Sequence, residues 1–305
     1  MRMAIRKITL SDAEYPKNLR NMHTPPKQLY VNGDLLERDE VAVAIVGSRR
    51  ASVYGLETAE KFGFELAARG VTVVSGMAIG IDSAAHKGAL KAKGRTIAVM
   101  GSGHNVIYPP QNKKLYEEII SSGAVVTEYD NDMEALPYHF PARNRIISGL
   151  SLGIVVVEAA RNSGALITAN FAAEQGRTVF AVPGKVSSST SSGTNELIKD
   201  GACLIQSVDD ILQELAIVQV GQVGGEVKES LDKKISKQTR AYIYNSLTDD
   251  ERKVYKNLSD EPMYIDDILE KAGMEHAAVS KVLLNLELKK LISQLPGKQF
   301  IRKEN

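Results

Sequence analysis

Six short runs of β-branched and other apolar residues, several of them closing on a glycine, set the strongest limit on how this chain can fold. Val41–Val46 ends at Gly47, Val71–Val74 at Ser75-Gly76, and Thr96–Met100 at Gly101. Ala124–Thr127, Ile154–Val157 and Thr178–Val182 follow, the last closing on Pro183-Gly184. Between the runs lie stretches with helical spacing, such as Ala59, Phe62, Leu66 and Ala67. Strands apolar on both faces need cover on both faces, and helices alternating with them supply it in a parallel sheet. The pattern predicts an α/β domain over residues 41–218, an extended Rossmann-like fold with a doubly wound, mostly parallel sheet. Residues 1–40 read as an N-terminal lead-in segment.

The pattern breaks after residue 218. Gly221, Gly224 and Gly225 interrupt it, and the charged stretch to Arg240 has no clear apolar face, so residues 219–245 read as a linker. A small C-terminal domain follows over residues 246–305. Thr248-Asp249-Asp250-Glu251 is a capping-box sequence opening a helix with Val254 and Leu258 inward. Ile265–Ala272 forms a second helix closed by Gly273, and a third runs from about Glu275 to Lys290 with Val279, Val282, Leu283 and Leu286 at helical spacing. Ile292–Leu295, Pro296-Gly297 and Gln299–Arg302 read as a hairpin. Three helices and a hairpin make a winged helix-turn-helix.

Charge narrows the partners. The 305 residues carry a formal net charge of +1, and residues 1–218 carry none, so any polyanion site is local rather than a basic tail. Cys203 is the only cysteine, which excludes an intrachain disulfide and a cysteine-based zinc cluster, and its apolar strand setting reads as a core thiol. The N-terminus lacks the apolar segment of a secretory signal, and no apolar run is long enough to span a bilayer. The expected compartment is the cytoplasm, with no membrane partner.

In an open α/β sheet, ligands bind beyond the carboxyl ends of the strands. Five such loops here share a character: Gly47-Ser48-Arg49-Arg50, Ser75-Gly76 through Gly80, Gly101-Ser102-Gly103 with Tyr108 beyond, Ser163-Gly164, and Pro183-Gly184-Lys185. Small residues let backbone amides approach an anion, and a helix N-terminus adds partial positive charge. Five of them beside Arg49, Arg143, Arg145 and Lys185 point to a long, repeatedly anionic ligand, which a nucleic-acid backbone is. Phe140, just ahead of Arg143-Asn144-Arg145, offers a face for stacking a base, with Tyr108 and Tyr138 as further candidates. Each element also has a plain structural reading. Phe140 alone suits a core, and Arg143 and Arg145 suit pairing with Glu128, Asp130, Asp132 and Glu134; the joint pattern favours the ligand.

The pattern of a dinucleotide oxidoreductase is absent, because the first turn is not G-x-G-x-x-G and the second strand ends in Ser75 rather than an acidic residue. No Walker A sequence occurs. Asp82 and His86 stand one helical turn apart, suited to hydrogen bonding and to orienting their helix, and no second histidine or carboxylate completes a metal site. No cofactor and no catalytic residue are expected.

VGSR at 46–49, SGMAIGIDSAAH at 75–86, YPPQN at 108–112, HFPARNRIISGLS at 139–151, SGALITA at 163–169, AVPG at 181–184 and GTNELIKDGA at 193–202 together resemble the DNA-processing protein A (DprA/Smf) family. Residues 247–302 resemble that family's C-terminal winged helix. The resemblance implies a non-enzymatic single-stranded-DNA-binding protein of natural transformation and recombination, which dimerises and loads the RecA recombinase. It implies that Arg49 contacts phosphate, that Arg143 and Arg145 line the groove, and that Phe140 lies near a base. Lys281, Lys289, Lys290, Lys298 and Arg302 are candidates for a local basic patch on the winged helix.

The rival is an enzyme on the same scaffold. Pro183-Gly184 and Gly193-Thr194-Asn195-Glu196 are reminiscent of the P-G-G-x-G-T-x-x-E loop of nucleoside-monophosphate phosphoribohydrolases, with a serine-rich insertion between the two halves. A pure interaction scaffold is the third reading.

Overall fold

A computed structural model describes residues 5–215, 247–258, 262–288, 291–295 and 299–302. The chain divides into two compact units, Met1–Gly224 and Gly225–Asn305. The expected linker, the Pro296-Gly297 turn, and Lys289, Lys290 and Lys298 lie outside the described residues.

The first unit is built on one nine-stranded sheet: β1 (Arg6–Thr9), β2 (Gln28–Gly33), β3 (Ala42–Val46), β4 (Thr72–Ser75), β5 (Thr96–Val99), β6 (Ala124–Thr127), β7 (Gly153–Val156), β8 (Thr178–Ala181) and β9 (Cys203–Leu204). The spatial order is β1-β2-β6-β5-β4-β3-β7-β8-β9. From β6 to β9 every neighbouring pair is parallel. The helices are α1 (Lys17–Arg20), α2 (Val53–Ala68), α3 (Ile81–Lys91), α4 (Lys113–Ser122), α5 (His139–Leu150), α6 (Gly164–Glu174), α7 (Ser192–Lys199) and α8 (Val208–Glu214).

Alternation along β3 explains the layering. Ala42, Ala44 and Val46 face a core with Ile146, Ile147 and Leu150 of α5 and Ala165, Ala169 and Ala172 of α6. Val43 and Ile45 face the opposite core, with Phe62 and Leu66 of α2 and Ala85 and Ala89 of α3. The sheet is therefore doubly wound. The chain leaves β3 outward through β4, β5 and β6, then returns to β7 on its other side, so the strand order reverses between β3 and β7. Such a reversal opens a crevice at the carboxyl edge.

The first forty residues do more than lead into the sheet. β1 pairs antiparallel with β2, and β2 pairs antiparallel with β6. Leu29 and Val31 are buried against half-buried Gln28 and Tyr30, and the strand ends on buried Asn32 and Gly33, so the run lacks the continuous apolar character of the parallel strands.

The second unit holds α9 (Asp249–Asn257), β10 (Met263–Tyr264), α10 (Ile265–Ala272), α11 (His276–Leu288), β11 (Ile292–Leu295) and β12 (Gln299–Arg302), with sheet order β10-β12-β11. Leu247, Val254, Ile268, Val279, Leu283, Leu286 and Phe300 form its core. The short strand β10 is an addition to the sequence reading. Arg302 turns inward: its guanidinium lies 5.1 Å from the Tyr255 ring and donates to the Leu258 carbonyl, which removes it from the basic patch. Thr248 Oγ1 accepts from Glu251 N–H at 3.3 Å, and Glu251 Oε2 accepts from Thr248 N–H at 2.9 Å, the reciprocal pair that starts α9. Thr248→Ala is expected to lower the opening free energy of α9 by about 1 kcal/mol, read from amide hydrogen exchange across that helix. Among the described residues no helix is long and apolar enough to cross a membrane.

Candidate nucleic-acid interface

Loops after β3, β4, β5, β7 and β8 converge over the reversal point around a cleft of about 760 Å³. Gly47, Ser48, Arg49 and Arg50 come from the first loop, Ala78 from the second with Asp82 in the first turn of α3, Tyr108 from the third, Ser163 from the fourth with Gly164 opening α6, and Thr190 from the fifth. One wall is α5, which presents Phe140, Arg143 and Asn144. A recess of about 60 Å³, touching Arg49, Gly76, Ile79, Tyr108 and Phe140, borders the same loops.

Arg49 and Arg50 are exposed at the cleft, and the Arg49 guanidinium stands 5.4 Å from the Phe140 ring centroid. Tyr108, 45% exposed, packs its ring 5.3 Å from Phe140 at a tilt of 47°. The exposed cation and two partly open rings stand together at one place on the cleft. The loop carrying Tyr108 is held by His104, which bridges the Tyr116 hydroxyl at 2.9 Å and the Tyr30 carbonyl at 3.0 Å. Burial pushes the His104 imidazole down, so the neutral ring donates to the carbonyl and accepts from the phenol. Ser163 caps α6, its Oγ accepting from Ala165 N–H at 3.3 Å, while Asn144 Nδ2 donates to the Gly164 carbonyl at 3.3 Å.

Other expected site residues have different work. Arg143 is 3% exposed. Its Nη1 donates to the carbonyls of Gly76, at 2.7 Å, and Val99, so it ties the loop after β4 to the end of β5 while forming part of the cleft wall. Arg145 points away from the cleft, pairing with Glu128 and donating to the Thr24 carbonyl at 3.2 Å. Ser75 is fully buried and its hydroxyl donates to the Ile45 carbonyl at 2.6 Å. Gly80, at φ +87°, lets two loops touch; a Cβ there would lie 2.3 Å from the Ser48 carbonyl oxygen. Lys185 is exposed on the loop after β8 but does not line the cleft, where Thr190 stands for that loop. Asp82 and His86 do not pair: Asp82 accepts from Gly76 N–H at 3.1 Å, and His86 Nδ1 meets Thr96 Oγ1 at 2.6 Å. Burial drives the His86 imidazole down to about 3, so it is a neutral strut.

Several of the amides expected to cradle an anion are also taken: Ser48 N–H donates to the Glu158 carbonyl at 2.7 Å, and Gly76 N–H to Asp82. Glu158, which the sequence reading passed over, accepts from Ser52 N–H at 2.8 Å, and Arg50 N–H donates to Ser48 Oγ at 3.0 Å. The side-chain cations Arg49 and Arg50 are therefore what the first loop offers. For Arg145→Ala we expect an oligonucleotide affinity and salt slope close to the parent's. Stability should fall by about 1–3 kcal/mol, because Glu128, whose carboxyl burial already pushes up, loses its partner; thermal unfolding beside a binding titration checks both. A separate cavity of about 390 Å³ lined by Glu14, Leu36, Glu37 and Glu40 has an acidic rim unsuited to a polyanion.

Fold and cleft together define a doubly wound α/β binding domain, with arginines and aromatic rings at its topological switch point and a winged helix after it. Residues 6–216 match the family described as DNA recombination-mediator protein A, and residues 240–298 match the DprA winged helix domain. The chain is 40% identical over 293 residues to Protein Smf of Escherichia coli K12, covering 94% of this chain and 75% of that protein. It is 43% identical over 209 residues to DNA processing protein DprA of Streptococcus pneumoniae, covering 68% and 73%. The X-ray structure of the S. pneumoniae protein superposes with a TM-score of 0.65 at 41% identity, over 69% of this chain and 74% of that one. DNA processing protein A of Helicobacter pylori, solved for its single-stranded DNA binding mode, gives 0.63 at 32% identity, over 71% and 98%. The chain belongs to the DNA recombination-mediator protein A (DprA/Smf) family.

Proposed function

We propose that this protein captures single-stranded DNA in the switch-point cleft and, as a homodimer, hands it to the RecA recombinase during transformation and recombination. The observation that carries the reading is the exposed Arg49 guanidinium over Phe140, with Tyr108 beside it, at the mouth of a cleft fed by five loops. Arg49 and Arg50 take the backbone, Phe140 and Tyr108 take a base face, and Ser163-Gly164 at the start of α6 extends the track. Contacts of this kind to phosphate and ring faces carry little base identity. The strand is therefore bound with weak sequence preference and strong salt dependence. The single-stranded DNA binding of the H. pylori relative, at 32% identity, supports the same ligand here.

The phosphoribohydrolase reading has no support in the geometry. Glu196 sits on α7, 3.5 Å from Arg161 in an exposed ion pair, and is not among the residues lining the cleft.

The test is a fluorescence-anisotropy titration of the full chain against labelled oligothymidylate and matched duplex, across a salt series. Salt-sensitive binding that favours the single strand is the expected result, and RecA filament formation on the captured strand is the next readout. Absence of binding at low salt would overturn the proposal.

A further inference from the structure

Behind the first loop of the cleft a buried carboxylate stands where a nucleotide-binding sheet of this kind would place a phosphate. Glu158 follows β7 and is 2% exposed. Its Oε2 accepts from Ser52 N–H at 2.8 Å, and its Oε1 accepts from the hydroxyls of Ser52, at 2.7 Å, and Thr190, at 3.3 Å. Ser52 caps α2, a helix of 16 residues, so the carboxylate sits at the positive end of a long helix dipole. In doubly wound folds, the turn after the first parallel strand and the helix it opens normally receive the phosphate. Space there is filled as well as charge, since a Cβ on Gly55 in the first turn would lie 2.4 Å from Glu158 Oε2. The next loop repeats the device. Asp82 Oδ2 accepts from Gly76 N–H at 3.1 Å and Ala78 N–H at 3.4 Å, and the side chain is 7% exposed.

We propose that Glu158 is a specificity-determining residue, an internal stand-in for phosphate that shuts free nucleotides and pyrophosphate out of the cleft and leaves Arg49 and Arg50 to polymeric strands. Only the last clause rests on the DNA reading above. A nucleoside diphosphate concentrates its charge on one terminal group and needs a closed nest of donors. A strand carries one diester charge per residue and is held by a row of exposed cations. Filling the nest while leaving the arginines open selects the second ligand over the first.

The experiment uses the full chain as wild type, Glu158→Ala and Glu158→Gln, with inorganic pyrophosphate and ADP as probes at ionic strength held constant with NaCl. Thermal unfolding and titration calorimetry are the readouts. Wild type is expected to show no Tm shift beyond the NaCl control and no saturable heat. Glu158→Ala, which vacates the helix terminus, is expected to melt lower, to regain Tm with pyrophosphate, and to bind it at least tenfold more tightly than wild type. Glu158→Gln keeps the space filled and is expected to gain nothing. Where Glu158→Ala does not fold in buffer, its refolding yield with pyrophosphate is read instead. Saturable pyrophosphate binding by wild type overturns the proposal, as does a Glu158→Ala protein that neither refolds better nor melts higher with the anion. Oligothymidylate binding, measured separately on the same samples, fails or succeeds independently of this result.

Discussion

Arg49→Ala is expected to weaken binding of oligothymidylate by about tenfold or more and to flatten its salt dependence. Arg49 is exposed at the cleft mouth, stands 5.4 Å from the Phe140 ring, and has no ion-pair partner among the described residues. A guanidinium so placed is available to a phosphate, and a hydrogen bond to a charged partner contributes roughly 1.5–3 kcal/mol. Loss of one phosphate contact should reduce the slope of log K against log salt by about 0.7 on a single strand. Arg49→Lys separates charge from geometry. The ammonium keeps the slope, while the planar fork and its contact with the ring are lost, so affinity returns only in part. Anisotropy titrations of the three proteins at four or five salt concentrations read both quantities. Unchanged affinity and slope in Arg49→Ala would move the strand out of this cleft.

The parallel core was legible because its strands are apolar on both faces, which no half-buried strand is. β1 was illegible for the opposite reason: Arg6 and Lys7 are exposed and only Ile8 is buried, so four residues carry one core contact. β9 is two residues long with Leu204 half exposed, too little for any periodicity. At the site, glycine and serine after apolar runs located the loops, and Arg49, Tyr108 and Phe140 fell where their residue types suggested. Arg143 and Arg145 could not both face one groove. Two residues along a helix is a rotation of about 200°, whereas Phe140, Arg143 and Asn144 share a face at spacings of three and four. That much follows once 139–150 is taken as helix rather than as a loop motif. Glu158 left a weaker trace, an acidic residue directly after the apolar run ending at Val157; its partner Ser52 is 106 positions away, beyond any local pattern.

The largest effect on stability is expected from Arg143→Met. Arg143 is buried against Gly76 and Val99 carbonyls and faces Asp82, whose carboxylate also takes two amide donors. Burial lowers the guanidinium to about 10 and raises the Asp82 carboxyl, and each charge opposes the shift in the other. Methionine fills much of the volume but strands a buried carboxylate and two carbonyls. Leaving two buried carbonyls without their donor and a buried carboxylate without the charge it faces costs about 3–5 kcal/mol together. For a unit of this size that corresponds to a Tm lower by roughly 10 °C. The pH dependence identifies the cause. Without Arg143 the Asp82 carboxyl rises further above its unfolded value of 3.8, so the folded state holds the proton more tightly than the unfolded chain. Stability is then lost as pH climbs above the unfolded value, and Tm of the variant should recover on acidification from about pH 7 to about pH 5 more steeply than that of wild type. Adding Asp82→Asn should restore part of the loss and flatten that recovery, because the stranded charge is gone while the amide donors keep an acceptor. A double variant no more stable than Arg143→Met, with the same pH response, would show that the two carbonyls and not the carboxylate are what Arg143 is there to satisfy.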